Sequence, residues 1–177
     1  MQKISSESGV GLVEVLVAVL LLSVAVLGFS ALQLRAVSAT DESLMRTQAM
    51  SIVRGLSEEM RSNPSQLDTY QKALNDYDYD VTKLPLESCN SLDNICSSKE
   101  LAKKQAELAA YQLNDYGIKV KMITCPGTQN FSQIKCIIAA WDDTAPEVGD
   151  DTDTKKTCAD KNGIYKSGAN CLIVEAY

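Results

Sequence analysis

Two kinds of residue in this 177-residue chain have types and placements that could do chemistry: six cysteines and one glutamate. The cysteines are Cys89, Cys96, Cys125, Cys136, Cys158 and Cys171, all beyond residue 88. They are even in number, widely spaced and without a C-x-x-C pair. That pattern suits disulfides in an oxidising compartment better than a zinc ribbon or a redox dithiol. Pairing of sequence neighbours is expected: Cys89 with Cys96, Cys125 with Cys136, Cys158 with Cys171. The glutamate is Glu14, set inside a long apolar run, where a carboxylate is costly and calls for a cation.

The chain has no histidine. It therefore lacks the commonest general base and the commonest transition-metal ligand. No nucleophile–base–acid set, phosphate loop or metal-ligand spacing stands out. No catalytic residue, cofactor or metal is expected, and the chain is read as a non-enzyme. A formal net charge of -6 argues against nucleic acid as a partner. Six of the acids, Asp142, Asp143, Glu147, Asp150, Asp151 and Asp153, crowd one stretch with no Lys or Arg among them. A calcium loop of the EF-hand type would need acidic groups at alternate positions and a glycine at the sixth. Counting from Asp151 puts Lys155 and Lys156 at the fifth and sixth positions, so the stretch reads as a solvated acidic loop.

Glu14 is positioned by a helix. From Val10 to Leu34 the strongly polar residues are Glu14, Ser23, Ser30 and Gln33. At helical rise this run covers about 38 Å, enough to cross a bilayer core of about 30 Å. It is longer than the apolar core of a cleaved secretory signal, and no A-x-A site follows it. Beyond Leu34 the pattern turns amphipathic. Val37, Leu44, Met45, Ile52, Val53, Leu56 and Met60 recur at helical spacing between charged residues. No proline interrupts before Pro64, which forces Asn63 out of the helical region. One helix of roughly 80 Å, from about Val10 to about Ser62, is expected. Bridged cysteines would put the part that follows the membrane run outside the cytoplasm.

The remaining elements position the cysteines. Leu67, Tyr70 and Leu74 suggest a short helix. Ser97-Ser-Lys-Glu100 is a capping box opening another helix, with Leu101, Ala102, Leu108, Ala109 and Leu113 on its apolar face. Ile118, Val120 and Met122 alternate with lysines, as in a half-buried strand. Pro126-Gly127 is a turn signal, Ile134 to Trp141 a second strand, and Cys171 to Tyr177 a third. The expected fold class is α+β: a small antiparallel sheet packed on the amphipathic half of a long N-terminal helix, a lollipop shape.

The N-terminal residues carry a resemblance. Gly9, then Val10-Gly-Leu-Val-Glu14 opening an apolar helix, resembles the leader-peptide junction of the type IV prepilins. The stretches Ala31-Leu-Gln-Leu-Arg-Ala36 and Glu58-Glu-Met-Arg-Ser-Asn-Pro64 are similar to minor pilins of the pilus-modification type. The resemblance implies a pilin-like fold, with residues 1–9 a leader removed by prepilin peptidase after Gly9. Residues 10–34 would form the transmembrane and filament-core half of the helix, and residues 35–177 the periplasmic head with its amphipathic half. Val10 would become the N-methylated terminus, where the family more often has Phe or Met. Glu14 would align the subunit against a neighbour's terminal amine. The implied role is a minor pilin that primes assembly and sits at the pilus tip. Its partners would be other minor pilins, the major pilin, a large tip adhesin and, before assembly, inner-membrane lipid. The implied processes are twitching motility and adhesion, and the implied locations the inner membrane and then the extracellular pilus. The N-terminal motif is shared with minor pseudopilins of type II secretion, which are the alternative. A periplasmic receptor or enzyme anchored by one helix is the third reading.

Overall fold

A computed structural model describes residues 11–79, 95–128, 134–152 and 155–176. The chain divides into two compact units at Ser43 and Leu44, and helix α1 (Leu12–Ser62) contributes to both. In the second unit α1 buries Ala49, Val53, Leu56 and Met60, spaced to share one side of the helix. Ser57 joins them without leaving an orphan donor, because its hydroxyl donates to the Val53 carbonyl at 2.8 Å. Leu44, expected on this stripe, stays exposed. The helix ends where Pro64 dictates: Asn63 leaves the helical region at φ -136° and ψ 57°. Its side-chain amide then donates to the Ser98 carbonyl at 2.8 Å, tying the end of α1 to the start of the third helix.

A 3-10 turn (Pro64–Gln66) leads into α2 (Leu67–Asn75), which buries Tyr70 and Leu74. Helix α3 (Ser98–Asn114) opens on the expected capping box. The Glu100 N–H donates to Ser97 Oγ at 3.3 Å, and the Ser97 N–H donates to Glu100 Oε2 at 2.8 Å. The buried face of α3 is Ala102, Ala106, Ala109, Ala110 and Leu113. Leu101 and Leu108, expected inside, are each 40% exposed. Alanines take the inner face, where small side chains let helix backbones approach closely. The Tyr70 hydroxyl of α2 reaches Gln105 of α3. Gly117 stops α3 with φ 71°, and the Ile118 N–H returns to the Leu113 carbonyl at 3.0 Å.

Five strands follow: β1 (Lys119–Thr124), β2 (Lys135–Ala140), β3 (Thr144–Val148), β4 (Lys156–Ala159) and β5 (Cys171–Glu175). Strands β1, β2 and β5 form an antiparallel sheet in the order β1-β2-β5, with Val120 opposite Ala139 and Ile137 opposite Val174. Val120, Met122, Ile137, Ala139 and Leu172 share one core with the buried stripes of the three helices. Ile138 and Ala140 face the other way and pack with Cys158 and Cys171. Central strand β2 is thus covered on both faces, which explains its unbroken apolar run. Fold class is therefore α+β, with an antiparallel sheet and the end of a long helix sharing one core.

Strands β3 and β4 were not expected. They pair in parallel, Thr144 opposite Lys156 and Ala145 opposite Thr157. Pro146 within β3 and the acidic residues around it mask the strand signal in the sequence. Asp142 makes the turn out of β2 at φ 53°, a left-handed conformation that aspartate tolerates.

The outer edge of β1 is closed by side chains. The Met122 N–H donates to Asn75 Oδ1 at 2.9 Å, and Asn75 Nδ2 donates to the Met122 carbonyl at 3.0 Å. Two residues along, the Tyr79 hydroxyl accepts from the Val120 N–H at 2.8 Å and donates to its carbonyl at 2.9 Å. Side chains thus do the work of a missing strand and leave β1 no free template for edge pairing. Disulfides join Cys125 to Cys136 across the β1–β2 connection and Cys158 to Cys171 between β4 and β5. Cys96 is disulfide-bonded, and Cys89 lies outside the described residues.

Two substitutions test this architecture. Ile137→Ala, in the two-sided core strand, should lower unfolding free energy by about 2–5 kcal/mol in a denaturant titration. Ser97→Ala should cost about 1 kcal/mol by removing the cap of α3.

Candidate functional site

The apolar run of α1 lies in the first unit, and its side chains are uncovered all round. Leu12, Leu22, Phe29 and Leu34 are exposed, and so is every other large apolar residue from Leu12 to Leu34. By length and composition this helix can cross a membrane, with a mean hydropathy of 2.8 in its most apolar window and none of that window buried. A helix apolar on every side needs lipid or other apolar helices around it. The polar residues within the run are managed internally. Ser23 Oγ donates to the Val19 carbonyl at 2.7 Å, and Ser30 Oγ donates to the Val26 carbonyl at 2.9 Å.

Glu14 is different. It is the charged residue of the stretch from Gly11 to Leu34 and stands in the first turn of α1. Its backbone N–H donates to the Gly11 carbonyl at 2.9 Å, so the helix is already formed at this point. The helix N-terminus favours a negative charge there. That effect offsets only part of the cost of an ionised side chain in hydrocarbon, about 3 kcal/mol on insertion scales. Gly9 and Val10 lie outside the described residues.

In the second unit the acidic stretch is not a freely solvated loop. Asp150 pairs with Lys161 at 2.7 Å, and Asp151 with Lys166 at 2.7 Å. Asp151 also accepts from the Thr157 N–H at 2.8 Å. Asp142 accepts from Asn170 Nδ2 at 2.9 Å. Glu147 takes Lys121 on one oxygen and Lys155 on the other. Lysines placed far away in sequence thus disperse the acids among separate partners. Among the described residues no three His, Cys, Asp or Glu side chains gather as a metal site would need. The lysine partners fall outside the acidic window, so no local pattern announces them.

These ion pairs act on pKa. The hydrogen bond from Lys166, helped by the Thr157 N–H, lowers the Asp151 carboxyl from 3.8 to about 2. A folded pKa below the unfolded value stabilises the fold above pH 3.8, and that contribution fades as pH falls toward about 2. A carbon-detected NMR titration should therefore find Asp151 half-protonated near pH 2, and Lys166→Met should raise that midpoint.

Residues 31–106 match a family model, Tt1218-like, described as type IV pilin Tt1218. The matched stretch is less than half of the chain and runs from the apolar part of α1 through α2 into α3. It does not include the Gly9–Glu14 junction, so the two signals come from separate parts of the sequence. No curated protein and no solved structure matches the chain. The family match supports the type IV pilin family as the home of this sequence.

Proposed function

We propose that the chain is a minor pilin of a type IV pilus, similar to the pilus modification protein PilV. The observation that carries this reading is the uncovered apolar helix with one carboxylate in its first turn. The family match over residues 31–106 supports its coarser part, a type IV pilin. In this reading prepilin peptidase cuts between Gly9 and Val10 and methylates the new terminus. The subunit waits in the inner membrane with its head in the periplasm. On assembly, α1 exchanges lipid for the helices of other pilins. Glu14 then exchanges its surroundings for the terminal ammonium of a neighbour, so two costly charges partly cancel. The subunit joins other minor pilins to prime the filament and stays at its tip, beneath an adhesin. The disulfides suit an extracytoplasmic head.

Mass spectrometry of the protein from its native membrane should find a chain starting at N-methyl Val10. A chain still starting at Met1, in cells with an active prepilin peptidase, overturns the reading. Glu14→Val should leave membrane insertion intact and reduce surface piliation several-fold. Normal piliation in that variant would remove the proposed role of the carboxylate. Loss of protein secretion with normal piliation would point instead to a pseudopilin.

A further inference from the structure

The head carries a groove that the assembly role does not use. It lies between the end of α2, β1, β3 and the turn before β4, with a volume of about 770 Å³. That is within the range of small-molecule sites, about 300–1,000 Å³. Four lysines line it, Lys119, Lys121, Lys155 and Lys156, in a chain whose net charge is -6.

Four carboxylates line the groove too, Asp142, Asp143, Glu147 and Asp151, and two of them bond to groups outside it. Asp151 is engaged with Lys166 and Thr157, and Asp142 with Asn170. Glu147 is shared, one oxygen 2.5 Å from Lys121 Nζ and the other 2.6 Å from Lys155 Nζ. One negative charge thus holds two positive ones side by side. An ammonium has three N–H donors, so each lysine keeps two for another acceptor. The two side chains are 39% and 43% exposed, within reach of a ligand from solvent. Thr152 and Asp143 also line the groove, as does Thr144, whose hydroxyl accepts from the Asn170 N–H. These groups suit a ligand with both an anionic group and hydroxyls.

We propose that this groove binds a carboxylate- or phosphate-bearing polar ligand about the size of a monosaccharide, its anionic group seated on Lys121 and Lys155. Glu147 is the positioning residue: it converges the two ammonium groups and limits their mutual repulsion. Lys119 and Lys156 also line the groove, Lys156 with its ammonium bonded to the Gly168 carbonyl.

The test is an NMR titration of the nitrogen-15-labelled full chain in zwitterionic detergent micelles. Glucuronate, inorganic phosphate and glucose are added separately, and the amides of residues 119–121 and 155–157 are followed. Glucuronate or phosphate should shift these amides saturably, and added salt should weaken the binding. Glucose should not shift them. Saturation by glucuronate alone assigns a carboxylate ligand, and saturation by phosphate alone a phosphate ligand. Lys121→Gln and Lys155→Gln should each weaken binding about tenfold while the rest of the spectrum stays in place. Should Lys121→Gln disturb the fold, the more exposed Lys155→Gln carries the test. No shift with either anion at tens of millimolar overturns the proposal. So does binding that survives Lys155→Gln unchanged in a folded protein.

Discussion

The stripe of Ala49, Val53, Leu56 and Met60 is the contact on which the head is built. These side chains of α1 enter the same core as Val120, Met122, Ile137 and Leu172 of the sheet, and as the alanine face of α3. Removing them from water is the dominant favourable term available to this unit. The stripe also fixes what lies around it. Pro64 must end the helix just past Met60, so that the chain can turn back into α2. Asn63 then meets Ser98, and α3 starts where its alanines can face the shared core.

Charge helps to organise the part of the head that lies beyond the main core. Strands β3 and β4 are short and mixed in character, with Thr157, Cys158 and Ala159 of β4 buried, and they pair in parallel. What holds them to the antiparallel sheet is a set of cross-links of different kinds: the Cys158–Cys171 disulfide, the Lys121–Glu147 pair, and Asn170 bonded to both Asp142 and Thr144. Exposed ion pairs contribute little singly. Here they act together with a covalent bond and with backbone ladders. Their main effect is to select one arrangement of residues whose own strand propensity is weak.

Much of this fold is legible in the sequence, for physical reasons. The course of α1 follows from an uninterrupted helical pattern and one proline, and α3 from a capping box. Strands β1, β2 and β5 follow from alternation, from a run buried on two sides and from a turn signal. The misses are equally specific. Leu101 and Leu108 look like core residues because apolarity suggests burial, but alanines take the inner face. Strand β3 looks like part of an acidic loop because its strand character depends on a partner, β4, elsewhere in the chain. The lysines that pair with that stretch come from β1, from the turn before β4 and from the Cys158–Cys171 loop. A one-dimensional pattern cannot show a charge pair between distant segments. At the N-terminal helix the one carboxylate of the apolar run is visible in the sequence at once.

The hydroxyls of Ser23 and Ser30 have a consequence for how the apolar helix can change its surroundings. Each returns its proton to a carbonyl one turn back, so neither asks anything of its neighbours. Backbone groups of the helix are likewise satisfied within it. The run from Val15 to Leu34 can therefore leave one apolar medium for another without breaking a hydrogen bond of its own. Such a transfer exchanges only weak, non-directional contacts. For this run one apolar surrounding is equivalent to another, since none has to supply a hydrogen bond.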